Sequence, residues 1–144
     1  MINKNEGTIN LKEIRFEVED LQLSIAFYRK LGCMIEEVEN SKHLISAYII
    51  FNYTSTIKIH LFKDFTRTEK LTEEEKAPVF IITAIEDENR DFAEVLDEIH
   101  QNGITYTNVD PKTIIPIVAK FNDESGHNWE LMDDFNYPGE EKDY

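Results

Sequence analysis

Cysteine is almost absent from these 144 residues, and that narrows the chemistry at once. The one thiol, Cys33, cannot close an internal disulfide or build a cysteine-based metal cluster, which fits a reducing, cytoplasmic setting. A lone cysteine reads as a small buried hydrophobe. No apolar run approaches the ~20 residues that a membrane span needs. The opening Met1-Ile2-Asn3-Lys4-Asn5-Glu6-Gly7 lacks the basic-then-apolar shape of a secretory signal. Basic residues are scarce, 15 against 29 acidic, and the net charge of −14 repels phosphate backbones, so a nucleic-acid partner is not expected. Gly-rich phosphate loops and Ser-centred elbows are missing too, which argues against a nucleotide-dependent enzyme.

What remains is ordinary globular material, 41% hydrophobic and 31% charged, of a length that suits one domain or two small modules sharing a core. Much of the acidity lies in Glu73-Glu74-Glu75 and in Glu140, Glu141 and Asp143. It serves solubility first, and a cationic ligand would be drawn to it second.

From Lys12 the chain alternates. Ile14, Phe16 and Val18 take one side and Glu13, Arg15 and Glu17 the other, which predicts a strand with one apolar face. Asp20 offers an N-cap for a helix through Leu21, Ile25, Tyr28 and Leu31, and Gly32 stops it. Strands are expected over 33–38, 43–52 and 56–62. Residues 64–77 are charged and aperiodic and read as a linker or mobile flap. The order then repeats: a strand over 79–85, a helix over 89–101 closed by Asn102-Gly103, and strands over 104–107, 114–121 and 127–132. Pro116, early in its run, implies a strand start or an edge. Both halves read strand, helix, strand, strand, strand. A repeat of this length means two equivalent modules, each burying its sheet with the other's help.

Two stretches carry a resemblance. Ile14-x-Phe16-x-Val18-x-Asp20-Leu21-x-x-Ser24-Ile25-x-Phe27-Tyr28-x-x-Leu31-Gly32 resembles the opening motif of the vicinal oxygen chelate superfamily. That superfamily holds glyoxalase I, the fosfomycin- and bleomycin-resistance proteins and the extradiol dioxygenases. Asn122-Asp123-x-x-Gly126-His127-x-x-Glu130-Leu131 resembles its final strand. The resemblance implies an α+β fold in which two βαβββ modules form a curved, cup-shaped mixed sheet. Module one would span 12–63, the linker 64–77, module two 78–134 and a tail 135–144.

In metal-dependent members the ligands come from the first and last strand of each module. Carried onto this chain, those positions hold Glu13, His60 and Glu130, with Glu130 as the catalytic carboxylate. The fourth position falls near Pro78, Val79 or Phe80, none of which binds a metal. One imidazole and two carboxylates would suit a divalent ion such as Mn, Ni, Zn or Fe. Arg15, Tyr48 and Phe62 are candidates for the ligand pocket. Against a metal, Arg15 shares a face with Glu13 and would satisfy that charge by itself.

Two functional classes follow. One is a divalent-metal-dependent lyase, transferase or dioxygenase acting on a small molecule in the cup. The other is a metal-free protein sequestering a cationic or aromatic antibiotic such as a bleomycin-type drug. A homodimer is expected, because pairing would cover exposed sheet edges. Trp129 reads as core, and His127, at the turn, as a surface residue.

Overall fold

Alternation decides the first strand. The computed structural model describes residues 9–38, 40–51, 57–85, 90–108 and 118–133. β1 (Glu13–Glu17) sends Phe16 inward, followed by the buried Val18, and keeps Glu13, Arg15 and Glu17 on its other side. Asp20, in extended backbone, caps α1 (Leu21–Lys30) by accepting the Leu23 N–H at 2.9 Å. Gly32, at φ 100°, takes the left-handed turn that ends the helix. β2 (Met34–Glu37), β3 (Leu44–Ile50) and β4 (Lys58–Asp64) follow, and β4 returns parallel to β1. The first sheet has the order β1-β4-β3-β2.

The chain then crosses through a short helix, α2 (Glu73–Lys76), and repeats the scheme. β5 (Val79–Ala84), α3 (Phe92–Gln101), β6 (Thr107–Asn108), β7 (Val118–Asn122) and β8 (Asn128–Asp133) give a second sheet in the order β5-β8-β7-β6, with β5 and β8 parallel. Two βαβββ modules are therefore present. α3 begins at Phe92, the first residue of its apolar pattern, and not at the expected 89, because Asp91 takes the cap position and accepts the Glu94 N–H. The strand expected at 104–107 is reduced to the two residues of β6. Pro116 and the 135–144 tail lie outside the described residues. Among the described residues no helix is long and apolar enough to cross a membrane.

One core serves both modules: Phe16, Ile49 and Leu61 from the first join Leu96, Phe121, Trp129 and Leu131 from the second. α1 is the bridge. Its Tyr28, fully buried, donates its hydroxyl to Asp123 Oδ2 at 2.6 Å and accepts the Trp129 indole N–H at 3.0 Å. Asp123 Oδ1 accepts the backbone N–H groups of Ser125 and His127. His127 is not the surface residue its turn position implies. Gly126, at φ 94°, swings the chain so that the imidazole lies buried 4.5 Å from the Phe16 ring, with Nε2 2.7 Å from the Glu17 carbonyl. The closing motif is thus a buried polar tie between α1, β1 and β8, and satisfied partners explain how it tolerates burial.

Candidate functional site

Because side chains alternate along each strand, the face of the first sheet turned away from the core collects the polar set. The register places Arg15 beside His60, His60 beside Tyr48, and Tyr48 beside Glu36, one stripe across four strands. The Tyr48 ring stacks on the His60 imidazole, centroids 4.4 Å apart and 20° from parallel. Its hydroxyl donates to Glu13 Oε2 at 2.9 Å, while Arg15 Nε and Nη2 hold Glu13 Oε1 at 2.8 and 2.7 Å. Lys58 lies 5.0 Å from the Tyr48 ring centre and 3.6 Å from the Glu36 carboxylate.

This clamp leaves one group unsatisfied. Nδ1 and Nε2 of His60 are both buried without a hydrogen-bond partner, the only such side-chain atoms among the described residues. Loss of water lowers the imidazole pKa, which Glu13 opposes and Arg15 reinforces, so the balance favours the neutral ring. The hydrogen bond from Tyr48, with the Arg15 guanidinium behind it, keeps the Glu13 carboxyl below its ordinary range, and Glu13 in turn raises the Tyr48 phenol. A neutral imidazole carries one donor and one acceptor. Set beneath a phenol ring, it pairs an aromatic surface with hydrogen-bonding nitrogens that become reachable only when the side chains covering them shift.

The expected ligand residues are only partly brought together. Glu13 and His60 lie on the same face of adjacent strands, close enough to feel each other's charge. Glu130 sits on β8 in the other sheet, between Ile81 and Lys120, and lines a 380 Å³ cleft with Tyr106 and Thr107. Relative to the parallel strand pair, Val79 occupies the place in the second sheet that Glu13 holds in the first. Among the described residues no three His, Cys, Asp or Glu side chains gather to hold a metal, and both Glu13 oxygens are already engaged. Those residues do not fit a metal centre as they stand. Cys33 is buried, its thiol pushed up to about 12 by desolvation, and is inert.

Sequence reasoning missed the strap. Of residues 64–77, which read as a linker or flap, Asp64 ends β4 and the strap that follows it is folded against β1 and β8. Leu71 is buried, its N–H bonds Glu19 Oε1 at 3.0 Å, and Asn128 Nδ2 donates to the Lys76 carbonyl at 2.6 Å. Thr72 and Glu75 form a reciprocal capping box that starts α2. Thr72-x-x-Glu75 was the available signal, hidden inside a run of charge. Phe62 stands below this strap, with Arg15 and Leu71 around the same small cavity.

No protein-family model matches the chain, and no curated protein matches it by sequence. Solved structures do match. The trypanothione-dependent glyoxalase I of Leishmania major is 17% identical, with 88% of each chain covered and a TM-score of 0.67. An antibiotic-binding protein of a Streptomyces species, TnmS3, is 12% identical over 87% of this chain and 95% of its own, with a TM-score of 0.64. The fosfomycin resistance protein FosX of Listeria monocytogenes is 17% identical over 93% and 95%, with a TM-score of 0.61. At such identities the shared feature is the fold. It is that of the vicinal oxygen chelate proteins, in which glyoxalase, antibiotic-binding and resistance proteins share one scaffold.

Proposed function

We propose that the protein binds a small aromatic molecule on the outer face of its first sheet, without covalent chemistry. Tyr48 and His60 form the platform, and Glu13 and Arg15 the polar clamp beside it. The observation that carries this is the pair of buried, unpartnered nitrogens of His60 under the Tyr48 ring. An unsatisfied buried polar group destabilises the empty state, and a ligand able to bond it recovers that loss. The antibiotic-binding protein among the structural neighbours supports the same reading. Fluorescence titration with aromatic antibiotics and with simpler naphthalene probes tests it. His60→Ala and Tyr48→Ala should each weaken binding about tenfold, the loss of one stacked, hydrogen-bonded contact. Binding indifferent to both variants sinks the proposal.

A second reading draws on the same two nitrogens. A divalent ion (Mn, Ni, Zn or Fe) held by His60, Glu13 and Glu130 would make the protein a lyase, transferase or dioxygenase with Glu130 as its catalytic carboxylate. It requires Tyr48 and Arg15 to release Glu13, and Glu130 to arrive from a second sheet, as a homodimer would allow. Elemental analysis with a metal thermal-shift series decides it. Near-stoichiometric metal, lost in His60→Ala and in Glu130→Gln, supports the enzyme. Protein that gains no stability from any of the four ions counts against it. Cys33 as the single thiol fits a cytoplasmic site for either reading.

A further inference from the structure

We infer that the strap roofs a second chamber of the same binding face, and that Arg67 makes this chamber accept an uncharged, apolar ligand group. The inference rests on the binding proposed at Tyr48 and His60. Beneath the strap lies a cavity of 230 Å³ with an apolar wall from Phe16, Phe62 and Leu71 and a polar remainder of Arg15, His127 and two carboxylates, Glu17 and Glu75. Arg15 belongs to its wall and also clamps Glu13 beside His60, so the chamber adjoins the platform. Its volume falls below the ~300–1,000 Å³ of whole-ligand pockets. It suits a substituent, with the aromatic body of the ligand on Tyr48.

Two carboxylates on a partly apolar chamber in a chain of net charge −14 would select a cation. Arg67 prevents that. Nη1 bonds Glu17 Oε1 at 3.1 Å and Glu75 Oε2 at 2.7 Å, and Nη2 bonds Glu75 Oε1 at 2.5 Å. Nε and Nη2 donate to the carbonyls of Glu69 and Lys70, both at 2.9 Å. These five bonds use all five N–H groups of the guanidinium, so the side chain is locked between the strap and β1. The single positive charge of Arg67 halves the charge of the carboxylate pair; it occupies both Glu75 oxygens and Oε1 of Glu17, so a ligand cation would have to compete with the guanidinium for them. Arg67 is a specificity-determining residue that acts through Glu17 and Glu75.

The test uses two probes with one chromophore, 2-butoxynaphthalene and 4-(2-naphthyloxy)butylammonium, titrated against the full chain by fluorescence. The wild type should bind the neutral probe about fivefold more tightly, and Arg67→Met should reverse the order by exposing two carboxylates. Glu75→Gln loosens the same strap but removes negative charge, so it should hold or increase the preference for the neutral probe. Opposite movement in the two variants supports the inference. An unchanged ratio in Arg67→Met, or the same direction in both variants, overturns it. If Tyr48→Ala weakens both probes while Arg67→Met leaves their ratio unmoved, the platform stands and only the chamber falls. Failure of the wild type to bind either probe overturns both.

Discussion

The two sheets share one strand order and differ on the face turned away from the core. At the third position of the closing strand the first sheet has His60, flanked by Arg15 and Tyr48. The second has Glu130, flanked by Ile81 and Lys120. Inward positions do not diverge in this way: Ile59 and Leu61 answer to Trp129 and Leu131, all buried. Burial constrains the inner face residue by residue, because a one-residue slip would turn the whole apolar set outward. The outer face carries no such constraint and is free to specialise. In the first sheet it has become a coupled polar cluster. In the second, Val79 and Ile81, both about half exposed, leave the edge apolar.

The sharpest way to break this comparison is to attack the inner face where the modules meet. Asp123→Ala strips the acceptor from the Tyr28 hydroxyl and from two backbone N–H groups, all buried. The expected cost is about 3 kcal/mol by denaturant unfolding, since several donors lose their partner together. Glu130→Gln, on the outer face, should stay within about 0.5 kcal/mol. Equal losses from the two changes would mean that inner and outer faces are not distinct in kind. The strap comes next. Leu71→Ala should cost about 2 kcal/mol, the low end for a buried leucine because the strap can partly collapse. A negligible loss would mean that the strap is not packed on the first module.

Those two expectations separate what the sequence shows from what it hides. Ile14, Phe16 and Val18 announced a strand by alternation alone, and Asp20 with Gly32 bounded a helix by local chemistry. The order strand-helix-strand-strand-strand was visible twice for the same reason. The candidate site was half visible. Alternation put Glu13, Arg15 and His60 on outward faces, but the bond between Tyr48 and Glu13 depends on β4 lying between their strands, a register no local pattern encodes. The burial of His127 is not legible locally, because a turn position says nothing about a carbonyl, that of Glu17, 110 residues away. The strap was obscured by its own composition. Arg67 turns repelling carboxylates into partners, and only the fold brings Glu17 and Glu75 within its reach.

The smallest predicted effect tests whether the first sheet's outer face carries a neutral or a charged imidazole. Desolvation, aided by Arg15, depresses the His60 pKa more than Glu13 raises it. The folded protein then binds fewer protons than the unfolded chain wherever pH lies near or below the ordinary imidazole value of about 6.5. Unfolding free energy rises with pH when the unfolded state holds more protons, so this contribution is complete above that value and is lost on acidification. Comparison of the wild type with His60→Gln between pH 7.5 and 5 isolates it, because other groups titrate in both. The wild type should lose more stability than the variant as pH falls. Glu13 does not confuse the window, since its lowered carboxyl pKa places its own loss further toward acid. If the wild type instead gains on the variant during acidification, the imidazole is protonated and paired with Glu13. The platform would then repel the cationic aromatics that a net charge of −14 draws toward the chain.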